Sequence, residues 1–202
     1  MSNIGKLLVV SGLPAAGKDT VVAKFIERNP HFSLIVSHTD RPKRRDEIHS
    51  VHYNFVTTAY FESLISNNKL LEHVKTGLFY KGTTSDEFNK LFLGKNLIWR
   101  IELTRFTDFE ETISKKLGSR VAETIITNST KILLKPESRT VALSRYQNRD
   151  KSSKLEDFYI RWKFETEHIN VHKHKIPHVV VNRTGQLEKT VERIEKILRL
   201  NL

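Results

Sequence analysis

Between Gly12 and Thr20 the chain reads GLPAAGKDT, two glycines five residues apart followed by a lysine. This is the outline of a phosphate-binding loop, G-x-x-x-x-G-K-[ST], in which backbone N–H groups and a helix N-terminus converge on an anion while the lysine reaches its outer oxygens. Gly12, Ala15, Ala16, Gly17 and Lys18 fill those positions, but Asp19 stands where the pattern asks for a hydroxyl. A carboxylate there either takes a magnesium ion directly or leaves that task to Thr20, and it adds negative charge beside an anionic ligand.

A second polar run, SLIVSHTDRPKRRDE, carries Ser37, Thr39, Arg41, Arg44 and Glu47. Guanidinium forks bind phosphate oxygens in pairs, so Arg41 and Arg44 suit a second phosphate; the structural alternative is a solvated basic loop. Further on, Arg145 and Arg149 lie four apart, on one face of any helix, with Arg161 following a charged loop. Four histidines, His168, His172, His174 and His178, lack an acid or cysteine cluster and read as a polar helix end, not as metal ligands.

These residues need elements to hold them. The apolar run Lys6 to Ser11 reads as a buried strand and Asp19 to Arg28 as a helix with Val21, Val22, Phe25 and Ile26 on one side, so the loop sits in the strand-to-helix context the motif requires. Further strands are expected at Phe32 to Ser37, Asn96 to Leu103, Lys131 to Leu134 and His178 to Asn182. Alternating with helices, they predict an α/β fold built on a five-stranded parallel sheet covered on both faces. Leu187 to Leu200 predicts a closing helix with Val191, Ile194, Ile197 and Leu198 on its apolar stripe. Residues 38 to 90, rich in aromatics including Tyr53, Phe55, Tyr60 and Phe61, break the alternation and read as a small inserted sub-domain. The core is then 1–37 and 91–202, within one domain of 202 residues, and the charged stretch about 149–156 reads as a lid.

The charge balance, 34 Lys+Arg against 23 Asp+Glu, gives +11 and favours anionic partners. The basic residues are scattered without an aromatic stacking pattern, which points to small phosphorylated molecules and away from nucleic acid. With no cysteine, disulfides and thiolate metal sites are excluded and a cytoplasmic setting is expected. No apolar stretch is long enough for a membrane helix.

The pattern resembles the guanylate kinase family, whose S-x-T-T-R-x-P-R-x-G-E is matched by Ser37, Thr39, Arg41, Arg44 and Glu47, with Asp40 in place of the second threonine and further departures at Pro42 and Asp46. The run HYNFVTTAYFESLISNNKLLE is similar to that family's D-Y-x-F-V-x-x-x-x-F-x-x-x-I-x-x-x-x-F-L-E, and ALSRYQNRDKSSKLEDFYIRW to its lid. The resemblance implies a nucleoside monophosphate kinase using ATP and Mg2+, with small nucleotides as partners. Lys18, Arg145, Arg149 and Arg161 would act on the moving phosphoryl group. Ser37, Arg41, Arg44 and Tyr53 would hold the acceptor phosphate, Glu72 and Thr83 the guanine of GMP, and Asn182 would lie near the adenine of ATP. Asp19, Thr20 and Glu102 would serve the metal.

Three features depart. Lys81 either takes the place of the second tyrosine in G-x-Y-Y-G-[ST] after Tyr80 or is an insertion. Arg100 stands where the family has an acid in L-[DE]-I-D, Glu102 keeping the second acid. Asp19 gives GKDT, as in ribose bisphosphate phosphokinases. The expected reaction is therefore phosphorylation of GMP to GDP, with a phosphorylated sugar such as ribose 1,5-bisphosphate, another nucleotide, or a silent binding domain as alternatives. Residues 106–130 match nothing in the family pattern.

Overall fold

In the computed structural model, residues 4–45, 47–149 and 154–200 are described, the side chains of Thr76, Arg149 and Leu200 apart. In chain order the first elements are strand β1 (Leu7–Gly12), helix α1 (Lys18–Arg28) and strands β2 (Phe32–Leu34), β3 (His38–Thr39) and β4 (Asn54–Phe55). Helix α2 (Thr58–Ser66), strands β5 (Leu70–Thr76) and β6 (Phe79–Thr84), helix α3 (Asp86–Phe92) and strand β7 (Asn96–Arg100) follow. The second half holds α4 (Leu103–Thr107), α5 (Phe109–Leu117), α6 (Ser119–Thr127), β8 (Ser129–Pro136), α7 (Arg139–Arg149), α8 (Leu155–Val171), β9 (His178–Asn182) and α9 (Leu187–Leu200).

The parallel sheet expected from the apolar runs is present, five strands in the order β2-β7-β1-β8-β9. Pairing runs Leu7 with Ser129 through Gly12 with Leu134, and Ile132 with His178 through Pro136 with Asn182. Because both faces are covered, β1 is buried at every residue, which is why it reads as a continuous apolar run. A second sheet, β4-β3-β6-β5, occupies the stretch expected to form the insert.

The chain forms two compact units. One holds Leu7–Phe32, Ile98–Phe109 and Ser129–Leu202; the other holds Ser33–Leu97 and Glu110–Asn128 with the residues up to Lys6. In the first, Trp99, Phe25, Phe106, Phe109 and Phe158 are fully buried, and α9 packs Val191, Ile194 and Leu198 inward with Ile197 half-buried. Each such large side chain contributes about 1.5–3 kcal/mol on burial. Arg28 on α1 reaches Glu188 and Glu195 on α9 at 3.0 and 2.9 Å, exposed pairs that fix register more than stability. In the other unit the core is Phe61, Leu70, Leu71, Phe88, Leu91 and Ile113.

Two strands end earlier than expected, and β8 (Ser129–Pro136) extends two residues beyond the expected Lys131–Leu134 at each end. β2 ends at Leu34, three residues before Ser37, and β7 ends at Arg100, short of Leu103. Glu102 is the N-cap of α4, and Leu103 is buried as the first residue of that helix. An apolar residue at a buried helix start looks like a strand residue when only hydropathy is read. The unassigned stretch 106–130 contains the end of α4 and then α5 and α6, which bury Phe109, Ile113, Ala122 and Ile125. Residues 150–153 of the expected lid lie outside the described residues; α8 begins at Leu155.

Candidate active site

The loop after β1 is shaped by two glycines. At Gly12 a Cβ would come within 2.4 Å of the Leu134 carbonyl on β8, so only glycine lets the strands approach this closely. Gly17 has φ 82° and caps α1 without a side-chain hydrogen bond, and a Cβ there would also meet Asn182 Nδ2 at 2.6 Å. Ala15, at φ 54°, holds a backbone conformation rare for a residue with a side chain. Lys18 folds back along this loop and its Nζ donates to the Gly12 carbonyl at 2.9 Å. Burial lowers the Lys18 pKa, against the pull of Glu102, Glu165 and Asp19, while Arg161 lowers it further. The ammonium therefore sits among three acids, with a second cation close enough to be felt.

Asn182 buttresses this loop. Its Nδ2 donates to the Ala16 carbonyl at 2.9 Å, its Oδ1 accepts from Thr190 on α9 at 3.2 Å, and it is buried. The side chain, expected near adenine, is thus committed to holding the loop backbone. Arg145 on α7 points to the same end of β9, donating to Thr184 Oγ1 at 3.1 Å, and Thr184 in turn donates to Glu137 at 2.6 Å. Arg149 ends α7, but its side chain lies outside the described part. Arg161 lies on α8, its Nη2 donating to Glu165 Oε1 at 2.9 Å.

Two residues that break the family pattern prove to be partners. Arg100 Nη1 donates to Asp19 Oδ1 at 2.5 Å, with the arginine 10% and the aspartate 56% exposed. The acid in the loop is neutralised by a base 81 positions away. Spacing alone carries no signal for such a pair.

The other unit builds its site on one face of the β3-β6-β5 sheet. The register pairs Glu72 with Thr83 and Thr39 with Lys81. Thr83 Oγ1 donates to Glu72 Oε1 at 2.9 Å and lies 3.0 Å from Ser37 Oγ. A hydroxyl has one proton, and Thr83 gives it to the carboxylate, so Ser37 is the donor in the second bond. The result is a buried polar chain, Ser37 to Thr83 to Glu72, with the glutamate 8% exposed. The β5-β6 pairing is unbroken from Thr76 and Phe79 to His73 and Gly82, so Lys81 is a regular strand residue opposite Val74; the irregularity falls between Leu70 and Glu72.

Arg41 is aimed by Glu47. Both Nη atoms donate to its carboxylate, Nη1 to Oε2 at 2.7 Å, and the Arg44 N–H adds a bond at 2.8 Å. Burial alone would push the Glu47 carboxyl up, but the Arg41 and Arg44 hydrogen bonds and charges together hold it below the usual range. The Arg41 guanidinium lies 5.2 Å from the centre of the Tyr53 ring and the Lys81 ammonium 5.5 Å, so two cations converge on one phenol. Arg44 is exposed. Tyr80 stacks on Phe61 at 5.2 Å and its hydroxyl is 3.5 Å from Lys75 Nζ.

Each unit therefore carries a cluster of cations, one beside a glycine loop, the other beside a buried carboxylate. A family model described as guanylate kinase matches residues 4–201. The chain belongs to the guanylate kinase family. Among curated relatives, the guanylate kinase of Neisseria meningitidis is 30% identical over 115 residues, 56% of each chain, and that of Carboxydothermus hydrogenoformans 37% identical over 100 residues, 49% of each. The chain thus spans about half the length of the first curated relatives it matches. A longer match, to the guanylate kinase of Clostridium perfringens, is 29% identical over 198 residues, 98% of this chain and 84% of that protein. Among solved structures, guanylate kinase from Anaplasma phagocytophilum shares the fold with TM-score 0.68 at 22% identity, covering 98% of this chain and 86% of that one. Among the described residues no helix is long and apolar enough to cross a membrane.

Proposed function

We propose that this protein transfers the γ-phosphoryl group of ATP to a nucleoside monophosphate, and that its acceptor is GMP. The observation that carries the acceptor is the buried Ser37, Thr83 and Glu72 chain, which ends in a carboxylate. The guanine N1 and N2 edge presents hydrogen-bond donors and needs an acceptor, whereas adenine sets an acceptor, its own N1, against the carboxylate. In this reading residues 38–90 supply the acceptor site.

An acceptor phosphate oxygen is already a nucleophile, so no general base is needed. It attacks the γ-phosphorus, the bond to the β-γ bridging oxygen breaks, and ADP leaves with the electron pair. Lys18 and the loop N–H groups hold the donor phosphates, Arg41, Arg44 and Tyr53 hold the acceptor phosphate, and Arg145, Arg149 and Arg161 offset the charge of the transition state. The donor atoms on offer for magnesium, from Asp19, Thr20 and Glu102, are all oxygens, which suits a hard cation. Among the described residues no group of three metal-ligating side chains stands ready, which suits an ion held mainly by phosphates and water. When bound, the ion neutralises phosphate charge. With Arg100 on Asp19, Thr20 and Glu102 are the residues we assign to hold it.

The test is ADP production from Mg-ATP with GMP, dGMP, AMP, CMP, UMP and ribose 1,5-bisphosphate offered separately. Turnover with GMP well above every other acceptor is expected. Turnover confined to another acceptor would overturn the Glu72 assignment.

A further inference from the structure

Glu165 is absent from the motif residues, yet it is the acid most deeply set in the Lys18 surroundings. It lies one turn after Arg161 on α8 and is 6% exposed. Its Oε1 accepts from Arg161, while Oε2 is buried with no hydrogen-bond partner among the described residues. A half-satisfied buried carboxylate is costly, and an apolar side chain would pack α8 without that cost. Arg161 itself stays 45% exposed, and Glu165 engages one of its five N–H donors.

We propose that Glu165 is the positioning residue for Arg161: by fixing one guanidinium nitrogen against a packed helix, it aims the others at the transferring phosphoryl group. This rests on the phosphoryl-transfer reading above. The remote charges agree with it, since Arg161 and Glu165 both act on Lys18. A mobile arginine would lose rotamer freedom on each turnover; a held one has lost it already.

The hold is sensitive to protons. Burial pushes the Glu165 carboxyl up, opposed by Arg161 on its own helix and by Lys18 from α1, while Glu102 at the start of α4 pushes the same way as burial. Arg161 is further influenced by Tyr146 of α7. A protonated Glu165 keeps only a neutral acceptor for Arg161, so the aim loosens as pH falls.

Glu165→Gln keeps shape and acceptor but cannot titrate; Glu165→Ala removes the hold. For Mg-ATP and GMP, kcat is expected to fall about tenfold in the first and about a hundredfold in the second, with KM for both substrates within about threefold. The wild-type kcat should fall on the acid side as Glu165 protonates, and that limb should be missing from Glu165→Gln. Wild-type kcat with an intact acid limb in Glu165→Gln would overturn the proposal. So would a raised KM and lowered melting temperature in Glu165→Ala in place of the kcat loss. A wild-type protein that turns over no acceptor would instead overturn the proposed function, and this proposal with it.

Discussion

Asp19 and Asp40 are the same kind of change in two regions: each puts a carboxylate where the family pattern has a hydroxyl. In the glycine loop Asp19 is 56% exposed and is met by a full charge, Arg100, itself standing in place of an acid. In the small sheet Asp40 is met by neutral groups, the Tyr80 N–H at 2.6 Å and the Thr58 hydroxyl at 2.9 Å. Beside an anion site an added negative charge repels the ligand, so only an opposite charge offsets it. Held by two neutral donors, the Asp40 carboxylate is a strong acceptor and ties β6 to the start of α2. The same substitution is thus electrostatic in one unit and architectural in the other.

The sharpest way to separate the two regions is to alter base reading alone. Glu72→Gln should lower kcat/KM for GMP by about a thousandfold while leaving the Mg-ATP KM near wild type, because a buried acceptor is replaced partly by a donor. Steady-state kinetics with each substrate varied would check this, and an equal loss for both substrates would deny the division of labour.

Next in size is the Asp19 and Arg100 pair. Arg100→Ala should raise the Mg-ATP KM about tenfold by leaving Asp19 to repel phosphate, and adding Asp19→Ser should recover most of that loss. A double variant no better than Arg100→Ala would mean the pair does not act through charge compensation. Asp40→Ala, by contrast, should cost about 1–2 kcal/mol of stability, read by denaturant unfolding, with both KM values unchanged.

The smallest effect concerns Glu47, whose carboxyl is held below its ordinary value in the fold. Such a group adds stability above its unfolded pKa and loses it as pH falls through the lower folded value. The gap in melting temperature between wild type and Glu47→Gln should therefore be widest near neutrality and shrink as pH falls below the ordinary carboxylate value towards the lower folded one. A gap independent of pH would mean that Glu47 acts through packing alone.

Much of the loop was legible because its signals are local. The expected helix at Leu187–Leu200 and strand at His178–Asn182 match the structure to the residue, since period and length there admit one reading. Most of the sheet was legible for the same reason: β1, β7, β8 and β9 are short, largely apolar runs next to helices in the chain. Helices α5 and α6 were not, since their apolar residues are spread over a stretch with no motif to anchor it. Lys81 could be placed only by strand register, a property of two strands together. Glu165 stood four residues from Arg161, a spacing that signals a helix pair, but most such pairs are solvated and its burial cannot be read from spacing.

By itself the sequence determined the α/β alternation, the glycine loop and the supply of cations, because backbone conformation and hydropathy act over a few residues. Tertiary structure alone decided that Arg100 meets Asp19, 81 positions away, and that the Glu165 beside Arg161 is buried. Charge interactions depend on distance and burial in space, and those quantities exist only once distant segments have packed.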